Sequence, residues 1–192
     1  MRGDAVPGGA ERAPIGLGPM GRRLLDWWTA RRPPGGLPAR AAIDPADLGP
    51  VLPHVVLLRW EGGEVVHALV GTAVVARMGI EPTGRPLGDI ASADHVGAIR
   101  GNLRLCTDRP CGMVTDHWIA MQGGVRERTA TLVLPYLQGD GGEVRLICVS
   151  DVLERRHDGA GGGVALSSGE AKAFVDLGFG VPDRPLFPGD PG

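Results

Sequence analysis

Between residues 111 and 153, three strand-like runs separated by two glycine-rich turns constrain the fold more than any other stretch. The runs are CGMVTDHWIA (111–120), RERTATLVLPYLQ (126–138) and EVRLICVSDVL (143–153). The connectors, Met121–Val125 with Gly123 and Gly124, and Gly139–Gly142, have hairpin composition. Glycine accepts the positive φ that tight turns between twisted strands require. Upstream, HVVLLRW (54–60) and EVVHALV (64–70) flank Glu61-Gly62-Gly63-Glu64, which predicts a second hairpin. Neither a two-stranded hairpin nor a three-stranded meander buries its apolar face alone. One five-stranded antiparallel sheet with helices on one face satisfies both, an α+β architecture with a cavity between sheet and helices.

The helical segments are short and punctuated. Thr72 opens TAVVARM (72–78), and Gly79 supplies a left-handed C-terminal residue. Ser92 is a candidate N-cap for ASADHVGAIRGNLRLC (91–106), whose Val96, Ile99, Leu103 and Cys106 share a face. Near the N-terminus, GRRLLDWWTARR (21–32) carries Leu24, Leu25, Trp27 and Trp28 at helical spacing until Pro33 and Pro34 stop it. It is too short to be stable alone, so it must pack on something. Asp44-Pro45 reads as a cap followed by proline in a first helical turn. After a DGAGGGV linker (158–164), SSGEAKAFVDLGFG (167–180) predicts a weak terminal helix. The expected organisation is a disordered arm (1–19), a helix and turn-rich lead-in (20–50), a core (51–153) and a flexible C-terminal segment (154–192).

Composition excludes several function classes. A formal net charge of −2 argues against a nucleic-acid binder, which needs a basic face. Every basic residue except Lys172 is arginine, which reads as coding bias, so no single Arg is evidence of phosphate recognition. Cys106, Cys111 and Cys148 are too few for a disulfide scaffold. No apolar run reaches the ~18–20 residues that span a bilayer, and residues 1–20 lack a signal-like stretch. The expectation is a soluble, cytoplasmic protein without a transmembrane segment. No nucleophile elbow or phosphate-binding loop is present; Gly161-Gly162-Gly163 lacks a following Lys-Ser/Thr. Asp116 and His117 are neighbours on one strand and point to opposite faces, so they form no dyad.

The order of elements, together with Leu37-Pro38-Ala39-Arg40, Asp44-Pro45, Gly71-Thr72 and Thr83-Gly84-Arg85, resembles the PAS domain family. In particular it resembles a stand-alone subfamily common in alphaproteobacteria. The resemblance runs from Leu24 to Leu153. It departs at Ala68, beside His67, where the subfamily often has an arginine three residues before the glycine of Gly-Thr.

The resemblance implies a sensory or regulatory module, not an enzyme, that binds a small molecule or a signalling partner and acts by protein contact. A ligand-free structural adaptor of the same fold is the alternative, and a small enzyme with an unrecognised site a third. PAS domains hold haem, flavin or a small acid, and the cofactor here is unknown. Haem would need an axial histidine. His67 and His117 lie on candidate strands and His95 on the longer helix, with Ile99 and Leu103 on the face toward the cavity. The ordinary reading of each histidine is a hydrogen-bonded or partly exposed side chain. A flavin adduct would need a cysteine directly after an asparagine, but Asn102 is followed by Leu103, and Cys106 lies further on. The C-x4-C spacing of Cys106 and Cys111 suggests a metal or redox pair, against an ordinary buried thiol, and lacks the four clustered ligands of a zinc site. Leu24, Trp27 and Trp28 form either a homodimer interface or an intramolecular contact with the sheet. Arg22, Arg23, Arg31 and Arg32 around them also allow a membrane-surface reading.

Overall fold

The computed structural model describes residues 16–183 except 92, 122, 140, 141 and 158–164. The arm and the Gly-rich linker expected from sequence therefore lie largely outside the described residues. At the centre runs β4 (Val125–Gln138), and every residue from Thr131 to Tyr136 is buried. Such an unbroken apolar run is the pattern of a strand covered on both faces. Around it β1 (Val56–Glu61), β2 (Glu64–Val70), β3 (Gly112–Ala120), β5 (Glu143–His157) and β6 (Ala165–Val175) form one antiparallel sheet. The strand order is β2-β1-β5-β4-β3-β6. Gly62 and Gly63 of the β1–β2 turn have positive φ, as do Gly123 and Gly124 of the β3–β4 turn.

Two expectations are corrected here. The segment read as a weak terminal helix is instead β6, a sixth strand that pairs with β3 along its length. Its Ala, Glu and Lys favour helix locally, but the open edge of β3 offers ladder hydrogen bonds that outweigh propensity. Helices also cover both faces of the sheet, not one. On the first face, Leu132, Leu134 and Tyr136 pack with Val114, Ile147 and Val149 against Leu24, Trp27 and Trp28 of α1 (Pro19–Arg31). The lead-in adds Leu37, Ile43, Val51 and Leu48, the last from α2 (Pro45–Leu48), whose N-cap Asp44 accepts from Ala46 N at 2.8 Å. On the second face, Met113, Val133, Leu146 and Cys148 meet Leu103 and Cys106 of α4 (Ala93–Asp108). α3 (Thr72–Met78), closed by left-handed Gly79, lies on this side too.

Two polar contacts fix α1 on its face. The helix starts at Gly18 without a side-chain cap of its own. The buried carboxylate of Asp151, on β5, takes that place, accepting from Met20 N at 3.0 Å and Gly21 N at 2.8 Å. A negative charge on the exposed amides of a helix start is favourable both as hydrogen bond and against the helix dipole. A Cβ on Gly18 would stand 2.2 Å from Asp151 Cγ, so only glycine lets the carboxylate approach. At the other end, Trp28 Nε1 donates to the carbonyl of Pro135 at 2.6 Å. Pro135 lies beyond the first paired residue of β3, where the lead-in bridges Ala39 to Leu137 instead.

Among the described residues no helix is long and apolar enough to cross a membrane. Replacing Asp151 with Ala removes two buried charge-assisted hydrogen bonds and should lower unfolding free energy by about 2 kcal/mol or more. Urea titration followed by tryptophan fluorescence measures this, and an unchanged midpoint would show that α1 is held by packing alone.

Candidate ligand cavity

Between α3, α4 and the second face of the sheet lies a cavity of about 190 Å³. For scale, an apolar cavity of about 150 Å³ holds benzene. The sheet wall changes character along the strands. Met113, Val133 and Cys148 stand opposite one another on β3, β4 and β5 and form an apolar row. Two residues along each strand, the same register brings Thr115, Thr131 and Ser150 into a row of hydroxyls on the same face. Thr131 Oγ1 and Ser150 Oγ are 2.7 Å apart, and Thr115 Oγ1 is 3.3 Å from Nδ1 of His117. These small polar groups occupy the middle of the sheet where the opposite face carries Leu132, Leu134 and Tyr136, and they leave space.

His67 and His117 in the wall are held toward the neutral, hydrogen-bonding form. Burial, reinforced by the nearby charge of Arg77 and opposed by Asp116, pushes the pKa of His117 down to about 4. His67 is also lowered, chiefly by burial. Its Nδ1 lies 3.0 Å from the carbonyl of Arg85. A carbonyl only accepts, so Nδ1 carries the proton and Nε2 is an acceptor. Arg77, on α3, also lines the cavity, with its side chain 15% exposed and its Nε 3.3 Å from Oε2 of the buried Glu127. Oε1 of Glu127 accepts from Arg155 Nε at 2.9 Å.

All five residues expected to face a ligand, His67, His95, Ile99, Leu103 and His117, line this one cavity. Arg77, Thr115, Thr131 and Ser150 were not anticipated. Thr115 could have been found by stepping back two residues from His117, whereas the hydroxyl row needs the strand register. The candidate interface residues are placed differently. Leu24, Trp27 and Trp28 are spent on the chain's own core against the sheet, at 0%, 9% and 1% exposure, because α1 is held down at both ends. Asp116 is buried on the face away from His117 and takes a bidentate ion pair from Arg128 at 2.9 and 2.8 Å. Cys106 and Cys111 are free thiols with sulfurs 4.0 Å apart, both buried in the second-face core. Among the described residues no group of three or more His, Cys, Asp or Glu is arranged to hold a metal.

The PAS domain family model matches residues 18–149, which takes in α1, the lead-in, both hairpin strands, α3, α4 and most of the meander. The chain belongs to the PAS domain family. No curated protein and no solved structure matches it. Membership suggests a sensory or regulatory module, and PAS domains are typically not enzymes.

The depressed His117 pKa has a consequence for this PAS domain. Its folded pKa, about 4, lies below the ordinary value of 6.5. The contribution to stability is therefore whole above pH 6.5 and is lost as pH falls toward 4, because the unfolded chain takes up the proton first. By pH 5 the loss is roughly 2 kcal/mol at ~1.4 kcal/mol per unit. Unfolding free energies measured at pH 7.5 and pH 5 should fall less for His117→Asn than for wild type by about that amount. Equal falls in both proteins would contradict the assignment.

Proposed function

We propose that this PAS domain is a sensory or regulatory module that binds a small molecule in the cavity and acts through contact with a signalling partner. The observation that supports this best is the cavity itself, with apolar walls at one end and a row of aligned hydroxyls with neutral imidazoles at the other. That is the usual composition of a small-ligand site: mostly apolar, with a few placed polar groups. Its volume of about 190 Å³ suits a ligand of about one ring.

The surroundings of α4 supply a route outward. α4 forms one cavity wall, and just past its end Arg109 donates to the carbonyl of Val181 at 2.7 Å. The same C-terminal stretch buries Leu177 in the core on the α1 side, where Arg32 donates to the Leu177 carbonyl. A ligand that shifts α4 would act on this stretch, which touches both covers of the sheet. The partner contact is assigned to these exposed surfaces and not to the buried stripe of α1.

The alternative, a ligand-free adaptor of the same fold, is separated by one comparison. Ile99→Trp fills the cavity from the α4 wall. Native mass spectrometry of wild-type protein should show a retained small molecule that Ile99→Trp lacks, with both proteins folded by circular dichroism. A ligand-free wild type whose melting temperature no metabolite of this size raises would favour the adaptor.

A further inference from the structure

We propose that Cys106 and Cys111 are a reversible oxidation site, which forms an intramolecular disulfide in response to hydroperoxides and acts on the C-terminal stretch through Arg109. Neither thiol is among the described residues lining the cavity, so the site is separate from it. Both cysteines are free and buried, with their sulfurs 4.0 Å apart at the junction of α4 and β3. A disulfide holds its sulfurs at about 2.05 Å, so these two must approach by about 2 Å. The chain has slack at this point. α4 ends at Asp108 and β3 starts at Gly112, so Cys111 stands in the connector, outside the sheet ladder. Asp108 and Arg109, between the two thiols, are exposed. An exposed helix end opens locally at low cost, which admits an oxidant scarcely larger than water.

The two thiols are not equivalent. Cys111 is held below the ordinary thiol range by its hydrogen bond with Cys106 and by the charge of Arg109, against burial and Asp176. The same pairing, with burial, pushes Cys106 up. The thiolate is the nucleophile, so Cys111 reacts first. Its sulfur bonds to one oxygen of the hydroperoxide as the O–O bond breaks, and the leaving oxygen takes up the proton that Cys111 released. Cys106 then attacks the sulfenic sulfur; the S–O bond breaks, the Cys106 proton leaves with the oxygen as water, and the S–S bond remains. The two thiols lose two electrons, and the hydroperoxide gains them. Cys148 differs, because burial pushes its thiol up to about 12 and its Sγ donates to the carbonyl of Val56 at 3.4 Å. A thiol held protonated in this way is inert. Arg109 lies inside the loop that the disulfide closes, and it donates to the carbonyl of Val181 at 2.7 Å. Closing the loop therefore changes the hold of the α4 end on the C-terminal stretch.

The test treats the full chain with hydrogen peroxide, alkylates it in denaturant, and reads the intact mass and the peptide map. Of the three thiols, only that of Cys148 should still be alkylated, and a Cys106–Cys111 cross-link should appear that dithiothreitol reverses. Hydrogen–deuterium exchange of residues 176–181 should change on oxidation and return on reduction. In Cys106→Ser the same treatment should leave a sulfenic acid on Cys111 that dimedone traps, without the change in exchange. In Cys111→Ser dimedone should trap nothing at Cys106. Wild-type protein decides the matter even where a variant fails to fold. Three alkylated thiols after peroxide, a cross-link through Cys148, or one between two chains would overturn the proposal. A Cys106–Cys111 cross-link with unchanged exchange at residues 176–181 would overturn its action on the C-terminal stretch.

Discussion

The burial of β4 on both faces is the constraint from which the remaining structure follows. From Thr131 to Tyr136 no residue reaches solvent, so each side of the sheet must be covered. The two covers are built differently. On one side Trp27, Trp28 and Tyr136 supply large rings that fill the space between α1 and the sheet, and α1 is tied at both ends by hydrogen bonds. On the other side the sheet presents Thr115, Thr131 and Ser150 where large apolar side chains would otherwise stand, and α3 and α4 bridge over them. A solid face and a hollow face thus come from the alternation of residues along the same strands. The hollow face costs packing contacts, which the solid face offsets.

This division explains why the cavity can be polar at one end without destabilising the sheet. Thr131 and Ser150 bond to each other, His67 bonds to a backbone carbonyl, and Thr115 bonds to His117. Buried polar groups with partners are tolerated, and those without are not. Arg77 on this face is largely buried and is held by its ion pair to Glu127, with Nε 3.3 Å from Oε2 but outside hydrogen-bond geometry.

Much of the fold could be read from the chain because local signals and tertiary demands agreed. Gly62-Gly63 and Gly123-Gly124 mark hairpins whose strands have the right period, and Gly79 ends α3 in the left-handed conformation expected of it. β6 was not legible because its helix-forming residues gain their ladder bonds only from a β3 edge 50 residues away. The two-sided cover was present in TLVLPY as an unbroken apolar run but carries no statement of what lies on either side. The role of the Trp pair was open for the same reason: Asp151, which pins α1, is 130 residues from Gly21. In the site, helical spacing put Ile99 and Leu103 toward the cavity, and the strand pattern put His67 and His117 there. Arg77 was hidden by an arginine-rich composition in which a single Arg says little, and the hydroxyl row exists only through strand register.

The central claim, one filled face and one hollow face, is tested most directly by xenon, which enters dry apolar cavities without needing polar recognition. Methyl NMR spectra of the protein under xenon pressure should show shifts for Ile99, Leu103 and Val133, which border the cavity, and none for Leu24, Leu132 and Leu134 beneath α1. Shifts centred on the α1 face, or no shifts on either face, would contradict the account.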